Sequence, residues 1–397
     1  MQKGPLQFMV DEVKQRKIEH VNIALEQGIS VPQRSSWNDI NLVHQALPEV
    51  DRDDIDTSVN FLGHTLRYPI FMSSLTGGHP DVVAINRNLA RAAERYGLAL
   101  GVGSQRAAIV NPDLASTYAV TRENAPNAFL IANIGAPQLI AQSRHDPFSL
   151  QQVRSAIDMI EADALAVHMN SLQEAAQPEG DRRAFGEAAA LKALAQQIEI
   201  PIIGKETGAG VCREQALLLK ACGVSAIDVG GAGGSSMSAL EAARSQSRGD
   251  EQTMNIGTLY RDWGIATPIA VVEACQARLP VIATGGVRSG LDAARALALG
   301  ATLVGIGFPF LKAASQSYEK VCEVVEGIIT ELEVAMQLSG ASNLAQLHGA
   351  DLVVTGYTRE WLTLRGFDEE LKGMAQRRWR RMQAESTYQL SLVNEPS

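Results

Sequence analysis

The stretch Pro280-Val-Ile-Ala-Thr-Gly-Gly-Val-Arg-Ser-Gly-Leu-Asp-Ala-Ala-Arg-Ala-Leu-Ala-Leu-Gly-Ala-Thr-Leu-Val-Gly-Ile-Gly-Phe-Pro309 decides how this chain folds. A short apolar run ends in Gly285-Gly286, an Ala- and Leu-rich helical run follows over 290–299, and a second apolar run ends in Gly305-Ile-Gly307. Strands that are apolar throughout are buried on both faces, and a helix between two of them makes a parallel crossover unit. The same cadence reaches back to Tyr68 through Pro69-Ile-Phe-Met-Ser-Ser74, Leu98-Ala-Leu-Gly-Val-Gly103, Ala128-Phe-Leu-Ile-Ala-Asn133, Ala164-Leu-Ala-Val-His168, Pro201-Ile-Ile-Gly-Lys205 and Ala226-Ile-Asp-Val229. With helical stretches at 82–96, 191–197 and 213–222, the reading is an α/β chain of eight parallel units. Eight units within about 240 residues match a TIM (β/α)8 barrel. A doubly wound sheet is the alternative, but eight strands without a clear topological switch favour closure.

Outside the cadence, residues 1–67 read as an N-terminal arm and irregular lead-in, 68–340 as the barrel, and 341–397 as a helical extension. The 397 residues, 46% of them hydrophobic, are ample for such a core. Lys and Arg total 35 against 44 Asp and Glu, a net charge of -9, which argues against a general nucleic-acid or anionic-membrane binder. A local basic pocket for a phosphorylated ligand remains compatible with it. The cysteines, Cys212, Cys222, Cys275 and Cys322, are too scattered for a metal pair and too few for a disulfide scaffold. No signal-type apolar core and no membrane-length run is evident, so a cytoplasmic location is expected.

Polar and glycine signals fall just after the strands, on the face where barrel active sites assemble. They are Thr76-Gly-Gly78, Gly103-Ser-Gln-Arg106, Asn133-Ile-Gly135, His168 to Glu174, Lys205-Glu-Thr-Gly208, the run Gly230 to Ser236, Gly285 to Gly290 and Gly305 to Pro309. The loop His168-Met-Asn-Ser-Leu-Gln-Glu174 combines an amide that donates and accepts with a carboxylate suited to a hard cation. The glycines after the seventh and eighth strands suit a phosphate, because small side chains let it approach backbone amides. Lys205 is either a cation beside a flavin ring or one half of an internal ion pair with Glu206 or Asp228. Residues 10–27 read as an amphipathic helix whose cluster Lys14-Gln-Arg-Lys17, followed by His20, is either a solvated face or an arm that supplies cations to a diphosphate.

Taken in order, Arg16-Lys17 with His20, Ser74-Leu-Thr-Gly-Gly78, Gly103-Ser-Gln-Arg106, Ala132-Asn-Ile-Gly135, His168-x-Asn-x-x-Gln-Glu174 with Gln177-Pro-Glu-Gly-Asp181, Lys205-Glu206, Gly231-Ala-Gly-Gly234 and Gly285-Gly-Val-Arg288 resemble type 2 isopentenyl-diphosphate isomerase. The resemblance runs from about residue 14 to about residue 340. It implies an FMN barrel that interconverts isopentenyl and dimethylallyl diphosphate, with reduced FMN, Mg²⁺ and NADPH as reductant. It places Ser74, Leu75, Thr76, Gly77, Ser104, Asn133, Lys205, Ser235, Gly286, Val287, Arg288, Gly307 and Phe308 around FMN. Arg16, Lys17, Ser104, Gln105, Arg106 and Gln173 would face the diphosphate substrate, Gln173, His168 and Asn170 would serve catalysis, and Glu174 would bind Mg²⁺. A homo-oligomer, tetramer or octamer, is expected. The chain departs from the family where Ser235-Ser-Met237 replaces the usual Thr-Ser-Trp, which removes an aromatic wall. Rival readings are a 2-hydroxy-acid oxidase or dehydrogenase on the same kind of barrel, and a flavin-binding scaffold without catalysis.

Overall fold

A computed structural model describes residues 18–19, 21–25 and 36–383. Eight strands, β1 (Ile70–Met72), β2 (Ala99–Gly101), β3 (Leu130–Gly135), β4 (Ala164–Met169), β5 (Ile202–Glu206), β6 (Ala226–Asp228), β7 (Val281–Thr284) and β8 (Leu303–Ile306), pair in parallel in sequence order. The ring closes where β8 meets β1, with Val304 opposite Ile70 and Ile306 opposite Met72. Closure excludes the doubly wound sheet, since no strand edge is left open.

Alternation along the strands builds two cores. Phe71, Ala99, Ile131, Ala164, Ala166, Ile203, Ala226, Ile282 and Leu303 fill the barrel interior. Their neighbours, such as Ile70, Leu100, Leu130, Leu165 and Val304, face the surrounding helices. A hairpin of Val59–Phe61 and His64–Leu66 plugs the end opposite the strand C-termini, with Phe61 edge-on to Phe129 at 5.6 Å. Residues 59–66 of the lead-in thus supply the barrel floor.

The helices follow the apolar periodicity closely at Val83–Tyr96, Arg213–Ala221 and Gly290–Leu299. Val83–Tyr96 stops because Gly97 takes a left-handed conformation (φ 63°). The helix expected over 191–197 instead spans Glu187–Ala195, because Ala-rich helix formers extend it beyond the apolar pattern. Of the helix expected over 10–27, residues 18–19 and 21–25 are helical, and Arg16, Lys17 and His20 lie outside the described residues. The strand Ile40–Leu42 pairs antiparallel with Leu352–Val354, joining the lead-in to the C-terminal extension. Among the described residues no helix is long and apolar enough to cross a membrane.

Candidate active site

The alternation that packs the barrel also builds its mouth. Two residues beyond the inward apolar layer stand Ser73, Gly101, Asn133, His168, Lys205, Asp228, Thr284 and Gly305. Gly305 is small of necessity, since a Cβ there would lie 1.9 Å from Thr284 Oγ1 and 2.9 Å from Ser73 Oγ. Above this layer opens a cavity of about 640 Å³.

Ser74, Leu75, Thr76, Gly77, Ser104, Arg106, Asn133, His168, Asn170, Gln173, Glu174, Lys205, Ser235, Gly286, Val287, Arg288, Gly307 and Phe308 all line it. Arg16 and Lys17 fall outside the described residues, but the helical turn after them reaches the cavity through Val21 and Ala24. Gln105 requires a correction. Its side chain is fully buried, donates to Ala156 O at 2.7 Å and accepts from Asn133 N at 2.9 Å, so it braces two backbone groups behind the wall. A buried backbone N–H must find an acceptor, and this one finds Gln105.

Asn133 sets the state of His168. Its Nδ2 donates to Val102 O at 3.0 Å, so its Oδ1 is the acceptor for His168 Nδ1 at 2.8 Å. In the neutral imidazole the proton then sits on Nδ1 and Nε2 is the acceptor nitrogen. Lys205 forms the internal ion pair with Asp228 at 2.8 Å, one of the two alternatives that the sequence left open, and it lines the cavity.

After β4 the chain turns at Asn170 into the helix Ser171–Ala176. Asn170 Nδ2 donates to Glu174 Oε1 at 2.8 Å, and Asp181 N donates to Glu174 Oε2 at 2.7 Å, so the carboxylate is fixed by both oxygens. Gly180 permits that return, because a Cβ there would meet Glu174 O at 1.9 Å. Gln173 Nε2 points at Glu241 Oε1, 3.4 Å away. Nearby, burial together with the charges of Glu174 and Asp181 pushes the Glu187 carboxyl up to about 7.

Asp181 gathers Arg106 at 3.0 Å, His145 at 3.1 Å and Gln138 at 3.2 Å on one oxygen. Burial works against its charge, but His145 and Arg106 hold it below the usual carboxylate range. The hydrogen bond to Asp181 raises His145 above the ordinary imidazole value of 6.5. The charged pair therefore stabilises the fold fully below that value and loses its effect as pH rises through the folded pKa. Thermal melting should show His145→Gln least stable relative to wild type near about pH 6, the deficit shrinking toward about pH 9. A deficit independent of pH would contradict the pairing.

The opposite wall is backbone. Cβ atoms on Gly285 (φ 126°) and Gly286 (φ 69°) would meet Gly231 O at 2.2 Å and Gly233 O at 2.5 Å, so the loops after β6 and β7 interlock main chain to main chain. Arg288 donates to Gly286 O and Gly233 O and ties the two together. Ser236 caps the helix Met237–Arg248, which leaves Ser235 as the hydroxyl on the cavity. Ser73 Oγ, Ser74 Oγ, Thr284 Oγ1 and Asn170 Oδ1 are buried and without a hydrogen-bond partner. Buried polar atoms are ordinarily satisfied, so four such atoms around one cavity mark it as shaped for a polar ligand.

Sequence reasoning missed Ser73 and Thr284, although the two-residue step along β1 and β7 points to both. It also missed Glu241 and Arg244. These lie three residues apart in an ordinary-looking helix, and nothing local distinguishes them.

The family model for FMN-dependent dehydrogenases matches residues 116–354. A protein of Methanothermobacter thermautotrophicus named isopentenyl-diphosphate delta-isomerase is 44% identical over 357 residues, covering 90% of this chain and 97% of its own. One of the same name from Archaeoglobus fulgidus is 46% identical over 351 residues, covering 88% and 99%. Among solved structures, a lactate oxidase from Pediococcus acidilactici superposes with a TM-score of 0.62 at 16% identity, covering 90% of this chain and 96% of that one. A mandelate oxidase follows at 0.56 and 18%, covering 88% and 99%. At those identities the solved structures speak for the barrel alone.

Proposed function

The chain belongs to the isopentenyl-diphosphate delta-isomerase family and is an isomerase, and on that premise we propose how its cavity interconverts isopentenyl and dimethylallyl diphosphate. The observation that carries the reading is geometric. Gln173 and Glu174 open onto the same cavity as the glycine wall at 285–286.

The residues present fit FMN, as the matching family model requires. The glycine wall with Ser235, Arg288 and Gly307 would take its phosphate, and the unpartnered hydroxyls of Ser73, Ser74 and Thr284 with Lys205 would meet polar edges of its ring. Bound in the reduced form, the flavin supplies an electron-rich ring that can carry a proton and stabilise developing positive charge. Glu174 fits Mg²⁺, because a cavity-lining carboxylate already aimed by Asn170 and the Asp181 amide is the hard oxygen donor that such a cation takes. Mg²⁺ there would neutralise part of the diphosphate charge.

The chain's own residues supply the remainder. Arg106, held by Asp181, offers its planar fork to the diphosphate. His168, oriented through its Nδ1 by Asn133, lines the same cavity. Moving the double bond adds a proton at one carbon and removes one at another, through a tertiary carbocation-like state. Val21, Ala24, Leu75, Met237 and Leu240 line the cavity and exclude the water that would capture such a cation. Gln173, held by Glu241, orients or relays the second proton. NADPH as reductant, a cytoplasmic location and a homo-oligomeric assembly complete the proposal; the four free thiols accord with a reducing compartment.

Purified protein should show a flavin spectrum and, under anaerobic reduction with Mg²⁺, convert isopentenyl diphosphate. Oxidation of a 2-hydroxy acid in place of isomerisation would overturn the reading. Glu174→Gln should raise the Mg²⁺ concentration for half-maximal activity by about tenfold or more, with flavin content retained, since a neutral amide is a poorer ligand. Flavin loss with an unchanged Mg²⁺ response would contradict the role.

A further inference from the structure

We infer that Arg244 is a positioning residue for this reaction, one buried guanidinium that sets the Gln173 amide and locks the N-terminal helix and the Glu174 loop to it. The inference rests on the role given above to Gln173. The Arg244 side chain is 2% exposed and reaches three carboxylates from three separated segments. Its Nε meets Glu19 at 3.1 Å, one terminal nitrogen meets Glu241 at 3.0 Å, and the other meets Glu179 at 2.6 Å.

Each partner leads to the cavity by a different route. Glu241 is wholly buried; one of its oxygens is held by Arg244 and the other accepts from Gln173. Fixing the first oxygen fixes the second, and with it which end of the Gln173 amide faces Glu241. Glu179 lies in the return segment whose Asp181 N–H holds Glu174 Oε2. Glu19 lies in the helical turn that presents Val21 and Ala24 to the cavity, and Arg248 grips the same carboxylate at 2.8 Å. A guanidinium suits this task because its donors diverge in a rigid plane, whereas a lysine ammonium is a single point charge. Docking the helical turn, closing the loop and orienting Gln173 thereby become one cooperative arrangement.

The test uses the flavin-loaded full chain. Arg244→Lys should lower kcat by on the order of tenfold or more with flavin content unchanged, since Glu19, Glu179 and Glu241 all lie outside the glycine wall. In a Gln173→Ala background the same substitution should cost less than about threefold, because residues that act as a unit are not additive. A kcat for Arg244→Lys near wild type, or an equal loss in both backgrounds, would overturn the inference. Should Arg244→Lys fail to fold, Glu19→Gln leaves Arg244 paired to Glu179 and Glu241. It should raise KM for isopentenyl diphosphate about tenfold or more, the equivalent of one hydrogen bond to a charge. It should also speed hydrogen exchange over residues 18–25; unchanged exchange and KM would overturn the clamp. Wild-type protein inactive toward isopentenyl diphosphate would instead refute the proposed function itself, and the exchange result would still report on the clamp.

Discussion

Gln173→Ala is expected to lower kcat by about a hundredfold or more while flavin stays bound, equivalent to about 2.7 kcal/mol of barrier. The amide sits on the first turn of the helix Ser171–Ala176, with Nε2 3.4 Å from Glu241 and Oε1 3.5 Å from Asn170 Nδ2. Both contacts are long, which suits a group that tightens on a substrate. Alanine removes the proton-handling atoms and leaves Glu241 buried with one oxygen unengaged by Gln173. The glycine wall that would hold the flavin phosphate is built by other loops, so flavin content should not follow activity. Stopped-assay turnover with flavin quantified by absorbance decides it. Turnover within about threefold of wild type would remove Gln173 from the chemistry.

The second large effect is expected from one methyl group on the opposite wall. Gly285→Ala places a Cβ 2.2 Å from Gly231 O and 2.3 Å from Thr267 Oγ1, at a φ of 126° that L-residues rarely adopt. Neither contact is the end of a flexible chain, so the loops after β6 and β7 must separate. The strain and clash cost on the order of 3 kcal/mol of stability, and the flavin content of purified protein should fall by about tenfold or more. Urea denaturation and flavin absorbance measure the two effects. Full flavin content at wild-type stability would show that the loops need not interlock.

The barrel was legible because each strand carries contiguous apolar residues and meets a glycine or a polar side chain at its last residue or the next one. The mouth was legible for a related reason: residues two steps past Ile131, Ala166 and Ile203 are Asn133, His168 and Lys205, and alternation leaves them nowhere else to point. Gln105 shows where such reading stops. Its neighbours Ser104 and Arg106 line the cavity, yet the Asn133 amide in the adjacent strand needed an acceptor and took it. Arg244 was illegible for a deeper reason. Its meaning depends on Glu19 and Glu179, brought to it only by the closed fold, and no local spacing encodes a contact across that much chain.

The pairing of Ile40–Leu42 with Leu352–Val354 bears on how the chain is made. Asn41 and Val353 stand 312 residues apart, so on a ribosome the first strand is synthesised long before its partner emerges. Until then its backbone donors and acceptors form an open edge, which is a template for association with another nascent chain. A translation product ending before residue 352 keeps all eight barrel strands and still lacks this closure. Its fate would be set by that exposed edge, and the cell's chaperones and proteases would meet it as an aggregation-prone intermediate.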